Sequence, residues 1–437
     1  MSRPSRRRRT FEVGSLQAGL LGIIFFLELN QRPALLQSLG EVLGLTILTL
    51  IGIYGLLGYR GSLTQQKRML LWGVWIFGVY LWGQVLVQGE GISRAALINV
   101  VFIVVASSTV VLITRSTWQA ALKAVVYPVL AFGLSYLITF VLVMAAGMPL
   151  RSLEVFSFNI AQAGVENRYL IQAYFPFSLA LNYGNVSVAG MEWARATGYM
   201  REPGIYQAVV CVAYFGVDYV RGLRWRSFWK GALLLSLFLT FSTAGIGAFL
   251  AAALYYYVLA NRDMSVAVRK EGGTAKGSQM SWSTSILAMF VIGAVGYWFV
   301  YTESFKFGLL RKLALGSGSS RVSAVSEATE ALLAHPILGV GYTNKIGKGF
   351  SFLGVTGEIG VVGIILFLAV LILPLLPRIR RRDRILAFLI APVLTALLAQ
   401  PLFDKPFLYL ILALVVAYPH ESDQRNERAP DRQSTAT

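Results

Sequence analysis

Apolar residues run through this chain in blocks. Continuous blocks fall at 11–29, 36–58, 69–87, 97–113, 121–146, 204–220, 286–301, 351–373, 385–400 and 404–419. Each is close to the roughly 20 helical residues that cross a hydrocarbon core of about 30 Å. A transmembrane β-barrel would show short alternating segments instead, so the pattern predicts α-helical spans. The stretch 231–260 breaks the rule. As one helix it would run about 45 Å, too long for a single crossing without strong tilt, and "FSTAG" interrupts it at 241–245.

Charge decides how that stretch is read. One crossing would put the segment "RIRRRDR", 378–384, outside the membrane. Two short helices broken at Ser242 to Gly245 place both termini and every short basic loop on one side, with roughly two thirds of the 39 Lys and Arg. The positive-inside rule favours the second arrangement and predicts an all-α, polytopic integral membrane protein of about twelve transmembrane helices with both termini cytoplasmic. N-terminal helices occupy 1–146 and a first large external loop 147–203. Central helices fill 204–301, with a Gly/Ser/Lys-rich cytoplasmic linker, "KEGGTAKGSQ", within 261–285. A second external loop spans 302–350, C-terminal helices 351–419 and a cytoplasmic tail 420–437. No internal repeat stands out.

Composition agrees. Of the 437 residues 56% are hydrophobic and 14% charged. Mean hydropathy is +0.62. The net charge of +18 lies mostly in short segments between apolar blocks, where it sets topology, so nucleic acid is not an expected partner. Cys211 is the single cysteine, which excludes an intramolecular disulfide. His335 and His420 are the only histidines, and no His/Cys/Asp cluster has ligand spacing, so neither a metal nor another cofactor is expected. The start, "MSRPSRRRRT" before an apolar block, has the n- and h-regions of a signal peptide. It is followed by "LELNQRP" rather than a small-residue cleavage site, which reads as an uncleaved first span.

Candidate chemistry gathers in the external loops, where ordered segments on a rigid scaffold commonly carry function. In "RATGYMREPG", 195–204, Pro203 suits a first helical turn and Glu202 sits near the cap. Arg195 and Arg201 then flank a helix start, whose dipole and unfilled N–H groups favour an anion. In 316–342, Ser319 or Ser320 is a candidate cap and Arg321 falls in the first turn. Val322, Val325, Leu332 and Leu333 form an amphipathic stripe suited to lying along the membrane surface, and Pro336, Gly339 and Gly341 turn the chain back toward the bilayer. Arginines at span ends commonly snorkel to lipid headgroups. Their gathering at two helix starts points instead to an anionic diphosphate held by bidentate guanidinium contacts.

With "RATGYMREPG", the serine at a helix break in "LTFSTAG", the "R…HPILGVGY" strip and "GEIGVVG" at 357–363, the chain resembles the O-antigen ligase and polymerase superfamily over about residues 195–370. The resemblance implies a metal-independent glycosyltransferase of the bacterial inner membrane with its site facing the periplasm. The donor would be a polyprenyl-diphosphate-linked oligosaccharide among membrane lipids, and a chain-length regulator is a candidate partner. Ligases of the group carry a histidine and an asparagine some nine residues before the glutamate of the E-x-G-x-x-G stretch. Here Glu358 anchors that stretch, and Gly349 and Phe350 occupy those positions. The departure favours a polymerase, which joins a glycan to a sugar hydroxyl on a lipid-linked repeat unit, over a ligase.

Arg201 and Arg321 are the candidates for charge stabilisation. Glu202, Glu358 and Glu192 are candidate bases. Arg195 and Lys348 supply binding charge, and Tyr206 and Tyr342, with Trp193 and Tyr199, are sugar-stacking or interfacial aromatics. His335, before a proline, reads as a turn residue. A flippase or transporter is the alternative from another class. It would show repeat symmetry and polar residues at mid-depth, for which Glu41 is the main candidate. A purely structural envelope subunit is the remaining reading.

Overall fold

The computed structural model describes residues 22, 41–58, 63–87, 94–162, 165–188, 191–200, 202–260, 317–342, 352–398, 402–403 and 405–419. The predicted spans at 11–29 and 286–301, the linker and both termini lie outside them, Gly22 apart. The described chain is mostly helical: α1 (Glu41–Gly58), α2 (Gln65–Val87), α3 (Arg94–Leu112), α4 (Trp118–Met144), α5 (Pro203–Gly216), α6 (Arg226–Leu239), α7 (Thr243–Leu254), α8 (Ser317–Ala334), α9 (Thr356–Ile372), α10 (Leu376–Arg381), α11 (Ala387–Leu398) and α12 (Pro406–Ala417). Three helical stretches, Gln65–Leu86, Trp118–Met144 and Leu353–Arg381, are long and apolar enough to cross a membrane. Outward-facing Leu57, Trp72, Ile76 and Ile365 are each more than half exposed, an apolar exterior that suits lipid rather than water.

The expectation of an all-α fold is wrong in the first predicted external loop. Residues 154–196 form a four-stranded antiparallel sheet in the order β1 (Glu154–Gln162), β2 (Val165–Tyr174), β3 (Ser178–Val188), β4 (Met191–Ala196). The cause is alternation: "EVFSFNI" and "SLALNY" place apolar residues at every second position, and period two is a strand. Ile171, Ala173, Leu179 and Leu181 make the sheet's small core, with Phe132 of α4 against it.

A buried polar seam on α4 fixes the sheet. Ser135 Oγ and Thr139 Oγ1 each lie 2.7 Å from Ser178 Oγ, and Thr139 Oγ1 also donates to the Phe175 carbonyl. The Tyr136 hydroxyl donates to the Leu179 carbonyl and accepts the Gly198 N–H at 2.8 Å. Tyr136→Phe strands that buried N–H. It is expected to cost about 1–3 kcal/mol, read as a lower melting temperature of the detergent-solubilised protein.

Contacts at helix ends give the layout. Gln119, at the start of α4, donates to the Tyr219 carbonyl, just past α5. Asp218 Oδ2 takes Lys230 of α6 at 2.6 Å and the Tyr256 hydroxyl, just past α7, at 2.8 Å. Tyr255 donates to the Asp383 carbonyl ahead of α11, and Arg378 of α10 donates to the Val416 and Tyr418 carbonyls at the end of α12. One end of the bundle therefore holds the start of α4, the end of α5, both ends of the α6–α7 hairpin and the basic segments 221–226 and 378–384. The sheet, the start of α5, the α6–α7 break and the end of α11 lie at the opposite end. Phe352, ahead of α9, joins them by donating its N–H to Ala396 near the end of α11.

The stretch 231–260 is thus a hairpin whose two limbs return to the same place. At 14 residues α6 is about 21 Å long, shorter than a bilayer core.

Candidate functional site

Arg195 stands on β4 opposite Leu181 of β3. The strand ends at Ala196, and Thr197 to Met200 turn the chain with the Met200 N–H on the Thr197 carbonyl at 3.0 Å. Gly198 has φ +55, and a Cβ there would stand 2.2 Å from the Tyr206 ring, so this turn admits only glycine. Tyr206 is fully buried, its ring 6.0 Å from Tyr136 and 6.4 Å from Tyr199. Pro203 opens α5 and Glu202 is its N-cap, with φ −124 and ψ 133. The Glu202 carbonyl takes the first helical N–H groups, those of Ile205 and Tyr206, at 3.1 Å.

The hairpin break meets this turn. Thr240 closes α6, Phe241 takes the left-handed conformation at φ 47, and Ser242 leads into α7. Arg195 Nε donates to the Thr240 carbonyl at 3.1 Å. A guanidinium at the negative end of a broken helix satisfies a carbonyl that would otherwise be stranded among apolar residues. On the other side of the break, Gln207 of α5 presses on Gly245 of α7. A Cβ at Gly245 would stand only 1.8 Å from Gln207 Oε1.

The N-terminal part of α5, at its second turn, and the first turn of α7 therefore adjoin, near Arg195. Helix starts carry partial positive charge, so two of them beside a guanidinium gather positive potential at this corner, a candidate for binding an anion. Burial first, and the neighbouring Tyr206 second, hold the Tyr199 hydroxyl well above its ordinary pKa. It stays a neutral O–H donor. Among the described residues Tyr199 Oη and Trp193 Nε1 are buried with no hydrogen-bond partner.

The second strip is built on a different device. Gly360, with φ 63 and ψ −176, breaks α9 from within. In an unbroken helix the N–H groups of Val361 and Val362 would bond the carbonyls of Gly357 and Glu358. Here Val361 and Val362 donate to Pro336 and Ile337 at 2.8 and 3.2 Å, while Val340 and Gly341 donate to Gly357 and Glu358, both at 2.9 Å. The turn 335–342 thus takes over the backbone bonds that the kink gives up. Tyr80 of α2 donates to the Ile359 carbonyl at 2.5 Å, and Gln84 to Leu338 at 2.6 Å. Glu358, 3% exposed, lies within this lock. The chain matches no protein-family model and no curated protein.

Several expectations for the second strip need correction. Helix α8 begins at Ser317, so Ser319 and Ser320 lie inside it and Arg321 falls in the second turn. Its face toward α9 is made of small residues: Ala324 and Ala328 are buried, and a Cβ on Gly357 would stand 2.4 Å from the Ala328 carbonyl oxygen and 2.8 Å from Ala331 Cβ, while Leu333 is 77% exposed. Small residues let α8 and α9 approach closely.

Tyr206 cannot stack on a sugar, because its ring is fully buried, and Trp193 and Tyr199 are buried rather than interfacial. Tyr342 is half-buried and edge-on to Phe403 at 6.2 Å. Arg201, Lys348, Gly349 and Phe350 lie outside the described residues, as do the side chains of Arg321, Val322, Glu192 and Glu41. His335, just past α8, is exposed, its carbonyl taking the Gly339 N–H at 3.0 Å. No group of three or more His, Cys, Asp or Glu able to hold a metal occurs among the described residues.

Sequence reasoning passed over Tyr80, Gln84, Tyr136 and Gln207. The signal was present: a lone polar side chain in an apolar run, as in "LWGQVLV" and "GIYQAVV", needs an internal partner or a task.

Proposed function

We propose that this chain is a polytopic membrane glycosyltransferase of the polysaccharide-polymerase kind, transferring a glycan from polyprenyl diphosphate to a sugar hydroxyl of a lipid-linked repeat unit. The observation that carries the reading is the meeting of the α5 and α7 starts against Arg195, at the end of the bundle opposite the basic segments. In this reading the basic end is cytoplasmic, as the positive-inside rule requires, and the anion-binding corner faces outward.

The chemistry asks little more than such a corner. A diphosphate is already a good leaving group, and the main demand is positive charge where negative charge develops as the glycosidic C–O bond breaks. Two helix starts and a guanidinium meet it without a metal. The acceptor hydroxyl gives its proton to a carboxylate. Glu202, half-buried at the cap of α5, is assigned that role, because Glu358 is enclosed in the α9 lock.

Arg201→Ala and Arg321→Ala are expected to leave insertion intact while long-chain product disappears and single repeat units remain on the lipid. Glycan profiling of cells carrying each variant checks this, and wild-type chain lengths in both would refute it. A deletion strain separates the two transfer reactions. Loss of a polymerase leaves one repeat on the acceptor, whereas loss of a ligase leaves long chains unattached.

A further inference from the structure

Gln207 is the least expected side chain in the core. It is 1% exposed, and among the described residues neither its carboxamide nitrogen nor its oxygen has a hydrogen-bond partner. A buried amide left unpaired weakens a fold, and an apolar residue of the same size would serve packing better. Its position is specific. The side chain leaves α5 one turn after Pro203 and lies on Gly245, in the first turn of α7, where the absence of a Cβ makes room for it. Gly245 and Ile246 both return their N–H groups to the Ser242 carbonyl, and the Ser242 side chain makes no capping bond to its own helix. The start of α7 is therefore uncapped by side chain and has a buried carboxamide laid across it.

We propose that the Gln207 carboxamide and the first turn of α7 form a phosphate subsite, with Nε2–H and the α7 N–H groups ahead of Gly245 donating to one phosphate of a lipid diphosphate while Arg195 and the start of α5 serve the other. The inference rests on the polymerase reading for the identity of the lipid. A monophosphate fills one half of the corner and a diphosphate both, so the subsite is what distinguishes them.

The experiment uses the full-length protein in detergent with farnesyl diphosphate and farnesyl monophosphate as probes, read by thermal shift and by calorimetric affinity. Wild type is expected to bind the diphosphate more tightly than the monophosphate. Gln207→Leu keeps the volume, removes the unpaired amide, and is expected to melt at the wild-type temperature or higher. It is also expected to bind the diphosphate roughly tenfold or more weakly, with monophosphate affinity unchanged. Gln207→Glu places a carboxylate against the anion and is expected to abolish diphosphate preference. Unchanged diphosphate affinity in Gln207→Leu overturns the subsite and leaves the polymerase reading standing. Wild type that binds neither probe overturns both, and equal loss of both probes in Gln207→Leu overturns the assignment of Gln207 to one phosphate.

Discussion

Alanine at Gly360 or Gly339 is expected to destroy the fold around α9. Gly360 has φ +63, and a Cβ on it would stand 2.4 Å from the Gly339 nitrogen and 2.5 Å from the Ile337 carbonyl oxygen. Gly339 has φ +73, and a Cβ there would stand 2.3 Å from the Glu358 carbonyl oxygen. All these neighbours are backbone, which has no rotamer to yield. Either substitution forces apart the four exchanged hydrogen bonds between 336–341 and 357–362. Their donors and acceptors would then be left unpaired at roughly 1–3 kcal/mol each, on top of a strained backbone costing about 1–3 kcal/mol. The sum is comparable to or larger than a typical margin of about 5–15 kcal/mol. The expected result is a large fall in melting temperature or loss of detergent-extractable protein, rather than a mild change. Gly83→Ala is the control, since nothing lies within 4 Å of the Cβ it would add. A helical alanine there should be neutral or slightly stabilising. Equal melting of Gly360→Ala, Gly339→Ala and wild type would refute the lock.

The lock also shows where the sequence was readable. "HPILGVGY" and "GEIGVVG" drew attention as separate motifs, and the glycines at 339 and 341 were legible as a turn. That the turn serves the kink in α9 was not, because the exchange joins residues about twenty apart through backbone atoms that carry no side-chain signature. The hairpin break was legible for a simple physical reason: 231–260 is too long for one crossing, and Ser, Thr and Gly gather at its middle. The sheet was missed because its strands lie in a segment judged as a loop by charge and position, although its period-two alternation was on view. The small residues that α8 packs on α9 were not singled out, because close helix approach is decided by the smallest side chains, which stand out little in a hydropathy pattern. Gln207 escaped notice because one polar residue hardly alters the hydropathy of a block.

Arg195→Ala is the second large effect. The Arg195 Nε–H bond to Thr240 holds the guanidinium plane at the break, between a helix end that attracts cations and two helix starts that attract anions. Its contribution therefore has two parts, closing α6 and fixing positive charge in the corner. Truncation to alanine removes both. By analogy with loss of one preorganised donor at a developing oxyanion, long-chain product is expected to fall about 10²- to 10³-fold. Arg195→Lys separates the parts. An ammonium can still reach a carbonyl and restore the helix end, so melting should recover. It lacks the planar fork that orients two donors at once, so product should stay well below wild type. Recovery of both by lysine would mean that positive charge, and not the planar fork, is what Arg195 brings to the corner. Wild-type chain lengths in Arg195→Ala would remove it from the corner altogether, and the meeting of α5 and α7 would then need another source of charge. The comparison is decisive because the two roles are fixed by different atoms of one side chain: Nε is spent on Thr240, so whatever lysine fails to restore belongs to the rest of the guanidinium.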